Sequence, residues 1–407
     1  MEEDFQVNYG VSKLFSSDYN PTWTNEYMDA IREGIITAHY IKEGSSCNID
    51  RLKKKVKKDK NEINHIGSGE YANVYMIDLP NDTRYPDNVY VMKNTKYEHD
   101  KDDIYDVTIS TNSEVKMLRL LNNMIFDGVT PHVLLYIKHA QCNTCKKPSM
   151  RLITEVCKSD VGQMDDEKWP FLEDIEFVIF QVLFTLDAIQ SYYPEWRHND
   201  LHIENVFLDK VEKKNYYYYA YGKYYRLYTN VCAKISDFGH SHLPNIVENK
   251  LVYPDKDYDW DPTEFGTRPS RNQYYDMHSF LNAVNVEFID DDANSTLNQN
   301  IQDLINAMIP LKYQTTFKVT PKRIKRNKNK NLENDCLVPD DELHVPKDAF
   351  KFFKHFEIKK EDIPENEHVF CVSSLNKHEK RPASTSSMLE QLVMDSDSDQ
   401  ETKKQKI

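Results

Sequence analysis

The sequence is poor in glycine, with 10 among 407 residues, so a closely spaced glycine pair stands out from the background. A disulfide framework is missing as well. Seven cysteines, odd in number and scattered, suit a reducing compartment. No long apolar run is present: the most apolar stretch, Phe177 to Ile189, is too short to span a bilayer and is interrupted by Gln181 and Asp187. The acidic start, Met1-Glu2-Glu3-Asp4, has no apolar segment behind it of the kind a secretory signal needs. Positive charge is also in deficit. A formal net charge of −14 argues against a general nucleic-acid binder, though not against a local basic patch. With 39% hydrophobic residues, the chain is expected to be soluble and intracellular, with one large two-lobed domain or two small ones.

Residues 1–55 read as an N-terminal extension, with a helix over Trp23 to Ile41 and the basic run Arg51 to Lys58 behind it as a solvated linker. Asn61 to Asn94 is strand-like. Helices are expected over Ser113 to Asn122, Leu172 to Ile189 and Tyr274 to Val284, with further helical character at Lys347 to Phe356. Leu152 to Val156 reads as a short strand. The tyrosine-rich stretch Asn215 to Thr229 reads as two aromatic strands around a Gly-Lys turn, with base stacking as the alternative use of its rings. A basic insertion lies near 318–335, and 373–407 reads as a disordered polar tail, whose Ser396 and Ser398 among acids could be phosphoacceptors.

Four segments carry chemistry. Ile66-Gly67-Ser68-Gly69-Glu70-Tyr71-Ala72-Asn73-Val74-Tyr75 can be two strands joined by a turn whose backbone N–H groups lie over phosphates, because a Cβ at the glycines would hold the backbone away. Tyr90-Val91-Met92-Lys93 ends a strand on a lysine that can reach phosphate oxygens, and Glu114, on a following helix, is a carboxylate able to aim it. In Arg197-His198-Asn199-Asp200-Leu201-His202-Ile203-Glu204-Asn205-Val206-Phe207, Asp200 can accept or orient a hydroxyl proton, and Asn205 can bind a metal. Phe207 could form a floor under a nucleotide base. In Lys234-Ile235-Ser236-Asp237-Phe238-Gly239, Asp237 would hold Mg²⁺, Phe238 would pack beneath the helix bearing Glu114, and Gly239 would let the backbone turn. Each segment alone is weak; their joint occurrence in this order is not.

At these residues the chain resembles the eukaryotic-type serine/threonine protein kinases, over roughly 60–285 and on towards 370. The resemblance implies an α+β, two-lobed fold, with a β-rich N-lobe over 56–157 and a mainly helical C-lobe over 158–372. It implies ATP and Mg²⁺ as cofactors and protein serine or threonine hydroxyls as acceptors, with neither nucleic acid nor a membrane span; it leaves oligomeric state open. Asp200, Lys93, Glu114 and His202 would be catalytic. Gly67, Ser68, Gly69, Glu70, Tyr71, Ala72, Asn73, Val74, Val91, Lys93, Glu155, Cys157 and Phe207 would line the nucleotide, and Asn205 and Asp237 would hold metal. Thr154 would guard the back of the adenine pocket, Glu155 to Cys157 would be the hinge, and Asp276 would tie the catalytic loop down.

The chain departs from the family pattern at several of these positions. Ala72 stands for a third glycine and Val91 for an alanine. Asn199 replaces the arginine that reads an activation-loop phosphate, so activity without such phosphorylation is expected. His202 replaces a lysine that neutralises the γ-phosphate. No Ala-Pro-Glu is present, and Pro262-Thr263-Glu264 is a degenerate equivalent. The tyrosine-rich hairpin and Tyr274 to Phe280 look like kinases of large DNA viruses, which implies the host cytoplasm or the virion as location. Small-molecule kinases of the aminoglycoside and choline type share the Asp-Leu-His loop and remain an alternative, as does a catalytically inert scaffold. His139, Cys142 and Cys145 have the spacing of a partial zinc site, against a reading as reduced cysteines.

Overall fold

Alternation along β3 (Val89–Lys96) sets up the first sheet. Tyr90, Met92 and Asn94 are buried, while Val91 and Lys93 are half-buried on the opposite face, the period-two pattern of a strand with one covered face. The computed structural model describes residues 62–69, 72–78, 89–97, 106–142, 148–164, 174–252, 275–288, 299–309 and 344–372. The expectations for the N-terminal extension, Glu70, Tyr71, Cys145, Pro262-Thr263-Glu264, the basic insertion and the tail from 373 lie outside these residues.

β1 (Glu62–Ser68), β2 (Ala72–Asp78), β3, β4 (Tyr136–Cys142) and β5 (Ser149–Thr154) form an antiparallel sheet in the order β1-β2-β3-β5-β4. Helix α1 (Ser110–Phe126) buries Val115, Leu118, Leu121 and Ile125, a helical stripe that packs on this sheet. It starts three residues before the expected Ser113 and runs four beyond Asn122. Gly128, at φ 68, follows it, supplying the left-handed residue that commonly closes a helix.

The second sheet is built on one long hairpin. β7 (Val206–Ala220) and β8 (Lys223–Ile235) pair along their length, and β6 (Ser159–Asp160) pairs with β7. The turn residues are Tyr221 and Gly222, at φ 51 and 82, rather than a Gly-Lys pair. Two left-handed residues match the right-handed twist of the flanking strands. Tyr216, Tyr217, Tyr218 and Tyr225 are buried, so these rings pack inward and are not a stacking surface.

Helix α2 (Ile175–Tyr192) is the hub of this part. Among the described residues it is the helix long and apolar enough to cross a membrane, at 18 residues rather than the shorter apolar stretch of the sequence, and 78% of it is buried inside the protein. Phe180 is fully buried within ring-packing distance of Tyr218, Tyr225, Phe350, Phe353 and Phe356. α3 (Tyr275–Phe288) and α4 (Gln299–Met308) bury Phe280, Leu281, Leu304 and Ile305 nearby. α5 (Pro346–Ala349) and a 3₁₀ segment over Phe350–Phe356 follow. Then β9 (Glu357–Ile358) pairs with β8, and β10 (Val369–Cys371) pairs in parallel with β7 at Tyr217–Tyr219.

The loop after α1 stitches the two sheets together. Leu134 N donates to Ile235 O at 3.0 Å and Ile235 N donates to His132 O at 2.9 Å. Cys142 is disulfide-bonded. This corrects the expectation of wholly reduced cysteines and leaves Cys142 no thiolate for zinc. His139 Nδ1 is bonded to the Tyr136 hydroxyl at 2.7 Å.

Candidate active site

Register puts Lys93 opposite Val74 on β2 and Leu152 on β5, so its side chain leaves the middle of the first sheet. Its Nζ lies 2.8 Å from Glu114 Oε1 on α1 and 3.0 Å from Asp237 Oδ1 beyond β8. Burial opposes the lysine charge, but the Asp237 and Glu114 carboxylates outweigh it and hold the pKa well above the ordinary lysine value. Burial raises Glu114, against the pull of Lys93. Asp237 is drawn down to about 2, because Lys93 overcomes the effect of burial.

The segment from Arg197 to Asn205 is held at its start by a buried carboxylate. Asp276, fully buried on α3, accepts from His198 N at 2.7 Å and Asn199 N at 2.9 Å. Arg197 Nε lies 3.5 Å from the same carboxylate. His198 Nε2 donates to Ser236 O at 2.9 Å, leaving Nδ1 to accept from Asp200 N at 3.3 Å. Asn199 takes the left-handed φ of 66 that asparagine tolerates best among non-glycine residues. Its Nδ2 donates to His240 O at 3.0 Å.

Asp200 and Asn205 meet directly. Asn205 Nδ2 donates to Asp200 O at 2.8 Å and approaches its Oδ2 at 3.3 Å and His202 Nε2 at 3.0 Å. A carbonyl acceptor fixes which end of the amide is nitrogen, so Oδ1 of Asn205 is the free acceptor. Asp237 likewise has Oδ1 on Lys93. Together these are two hard oxygen donors, the type Mg²⁺ takes alongside phosphate oxygens. Among the described residues no cluster of three His, Cys, Asp or Glu forms a self-contained metal site.

Two histidines flank Asp200, of which the sequence reading identified only His202. His202 Nε2 is 3.9 Å from Oδ1, and His240 Nδ1 is 3.4 Å from Oδ2. The Asp200 carboxyl sits below the ordinary value: burial works against its charge, and His240 outweighs it. His240 immediately follows Asp-Phe-Gly, a position from which its role could have been read.

The Asp-Phe-Gly turn differs from expectation. Asp237, not Gly239, takes the left-handed backbone, at φ 55. At Gly239 a Cβ would sit 3.3 Å from Asp237 Oδ1 and 3.4 Å from Ser110 Oγ, so a side chain there would press on both groups. Phe238 is 1% exposed, against the His198 ring. The following segment is fastened to the start of α1. Ser110 Oγ donates to Gly239 O at 2.6 Å, Ser113 Oγ to Glu248 O at 2.7 Å, Lys250 N to Thr108 O at 2.8 Å and Lys250 Nζ to Asp106 Oδ2 at 2.5 Å. None of these contacts was anticipated from the sequence.

In the glycine turn, Gly69 N donates to Ala72 O at 2.8 Å and Ser68 Oγ to Asn73 Oδ1 at 2.9 Å. A Cβ on Gly67 would meet nothing within 4 Å, and one on Gly69 only Ala72 O at 3.9 Å. Val91 pairs with Met76 and Thr154. Glu155 turns its side chain inward: Oε1 accepts from Leu135 N at 2.6 Å and lies 3.2 Å from Lys234 Nζ, with both side chains fully buried. Its main chain is engaged as well: the N–H donates to Leu135 O at 3.1 Å and the carbonyl accepts from Thr154 Oγ1 at 3.2 Å. Cys157 is a free, partly exposed thiol, and Phe207 is half-buried against the core.

No protein-family model matches the chain. Two curated proteins of Acanthamoeba polyphaga mimivirus are similar to it. "Putative serine/threonine-protein kinase R400" is 26% identical over 266 residues, covering 53% of this chain and 55% of that protein. "Putative serine/threonine-protein kinase R301" is 38% identical over 84 residues, covering 19% and 21%. The chain spans about half the length of the first relative and about a fifth of the second. It is thus a relative of viral serine/threonine-kinase-like proteins, with an α+β fold of sheets and helices compatible with that class.

Proposed function

We propose that this chain is a protein kinase that transfers the γ-phosphoryl group of MgATP to serine or threonine hydroxyls. The carrying observation is the convergence of Lys93, Glu114 and Asp237 within hydrogen-bond distance, while Asp200 and Asn205 are bonded to each other and joined to Asp237 through His198 and Ser236. Under this reading the first sheet with α1 is the N-lobe of a two-lobed domain over 56–372, and the hairpin with α2 to α4 is the C-lobe.

Roles follow from the chemistry of each group. Lys93 presents a fixed positive charge to the α- and β-phosphates, and Glu114 keeps it aimed. Asp237 and Asn205 would hold Mg²⁺, which when bound neutralises phosphate charge. Asp200 orients the acceptor hydroxyl; as its oxygen bonds to phosphorus and the bond to ADP breaks, the hydroxyl proton passes to this carboxylate. The glycine turn lies over the phosphates. Neither Gly67 nor Gly69 is demanded by packing or by a positive φ, and the space above them suits a close-lying ligand.

The relatives' names favour a protein acceptor over a sugar or an amine. Filled phosphate- and metal-binding positions favour an active enzyme over a scaffold. The test is radiolabel transfer from ATP by the purified chain to generic proteins, sugars and amines, beside Asp200→Ala. Labelling of protein serine and threonine that falls about 10²- to 10⁴-fold in the variant is expected. Labelling of the small acceptors alone, or full transfer by the variant, defeats the proposal.

A further inference from the structure

This inference rests on the reading above and concerns the residue that replaces what His202 lost. A lysine at 202 would place a cation at the transfer site; histidine there is 3.9 Å from Asp200 Oδ1 and is engaged by Asn205 Nδ2 at 3.0 Å. The imidazole of His240 approaches the other carboxylate oxygen more closely, at 3.4 Å.

The backbone of His240 is pinned on every side. Its own carbonyl accepts from Asn199 Nδ2 at 3.0 Å. Asn249, 1% exposed, clasps the carbonyls before and after it, with Nδ2 donating to Gly239 O at 2.9 Å and to Ser241 O at 3.1 Å. Ser110 Oγ holds Gly239 O as well. A side chain on so constrained a backbone is aimed rather than free. The charged groups that face it are Asp200 and Asp237 on one side of the balance and Lys93 on the other, with Glu114 more distant. Burial disfavours its charge and Asp200 favours it, with a net rise above the ordinary histidine value.

We propose that His240 is a positioning residue for Asp200. Its Nδ1–H faces Oδ2 across 3.4 Å, so that Oδ1 is turned to the acceptor hydroxyl. The imidazole gives up no proton in the step. The bond made is hydroxyl oxygen to phosphorus, the bond broken is phosphorus to the ADP oxygen, and the proton ends on Asp200.

The test compares His240→Leu with His240→Asn in the full chain. Asparagine keeps an N–H near the position of Nδ1, and leucine has none. His240→Leu is expected to lower kcat about 10- to 100-fold, as for loss of one hydrogen bond to a charged group, with KM for ATP within about twofold. His240→Asn is expected to recover at least about a third of the rate. Thermal melting reports whether each variant is folded, and a leucine variant that fails to fold hands the decision to the asparagine variant and its kcat. Wild-type kcat in His240→Leu, or equal loss in both folded variants, overturns the inference while leaving the kinase reading intact. A wild-type chain that labels no acceptor overturns the kinase reading itself, and the inference falls with it.

Discussion

Lys93 and Asp237 are 144 positions apart in the chain and 3.0 Å apart in space, Nζ to Oδ1. One belongs to the first sheet and the other to the turn after the hairpin of the second, so this contact links the two sheets, and under the proposed function it lies where the phosphates of the nucleotide would sit. Asp237→Asn keeps the shape, removes the charge and weakens a metal site built on only two protein oxygens. The expected result is a fall in kcat of about 100-fold or more, partly recovered at high Mg²⁺. A steady-state Mg²⁺ titration of variant and wild type reads it.

Lys93→Met takes away the cation that faces Glu114, whose side chain is 8% exposed. A carboxylate left buried without its partner is costly, so this variant should lose activity and also melt at a lower temperature than wild type. Lys93→Met/Glu114→Leu should regain melting temperature but not activity. A calorimetric scan of the pair, set beside the transfer assay, separates the two effects.

Phosphatase treatment should leave the wild-type rate unchanged. Asn199 offers no cation for an activation-segment phosphate, and the segment from Gly239 to Lys250 is already fastened to α1 by side-chain and backbone bonds. Of these, the Lys250–Asp106 pair is half exposed and contributes little. The buried Ser113 hydroxyl carries more, because Glu248 O would be left unsatisfied without it. Ser113→Ala should therefore lower kcat several-fold, while Lys250→Ala stays within about twofold. Rates before and after dephosphorylation, on all three proteins, check this.

Stability of the hairpin region should hinge on Phe180. It is 0% exposed and meets rings from β7, β8 and the 3₁₀ segment after α5. Phe180→Ala is expected to cost about 3–5 kcal/mol, measured as a shift in the denaturation midpoint.

Acid sensitivity has an identifiable contributor in His132. It is 1% exposed; Nδ1 donates to Ala233 O and Nε2 accepts from the Tyr218 hydroxyl. Burial, aided by Lys234, pushes its pKa down to about 3 from 6.5. The unfolded chain thus binds a proton near pH 6.5 that the native state refuses until about pH 3, and stability falls as pH drops through that window. His132→Asn should lose about 1 kcal/mol less per pH unit between pH 6 and 4, as read from denaturation at each pH.

The glycine turn, Lys93, the Asp200–Asn205 loop and Asp237 were legible in the sequence because each depends on residue type at fixed local spacing. The hairpin was legible for the same reason: aromatic alternation around a glycine. Contacts made by distant segments were not. Ser113 and Glu248 are 135 positions apart, and nothing in either neighbourhood announces the other. Glu155 reads as hinge, yet its side chain is claimed by Lys234 from β8. At Gly239 the residue type was informative but its reason was misread: the glycine makes room, and Asp237 bends. His240 lay in plain view beside Asp-Phe-Gly, but its value depends on the loop that carries Asp200 folding against it.

β10 reaches back more than 140 positions to lie beside Tyr217–Tyr219. A ribosome releases the hairpin long before it has made the strand that covers that edge. Until residues up to about 372 have emerged, the tyrosine-lined strand is an open border, available to any passing extended peptide. Completion of the hairpin region is therefore a late event in synthesis, and shortened chains that stop before Val345 should be found in aggregates rather than in solution.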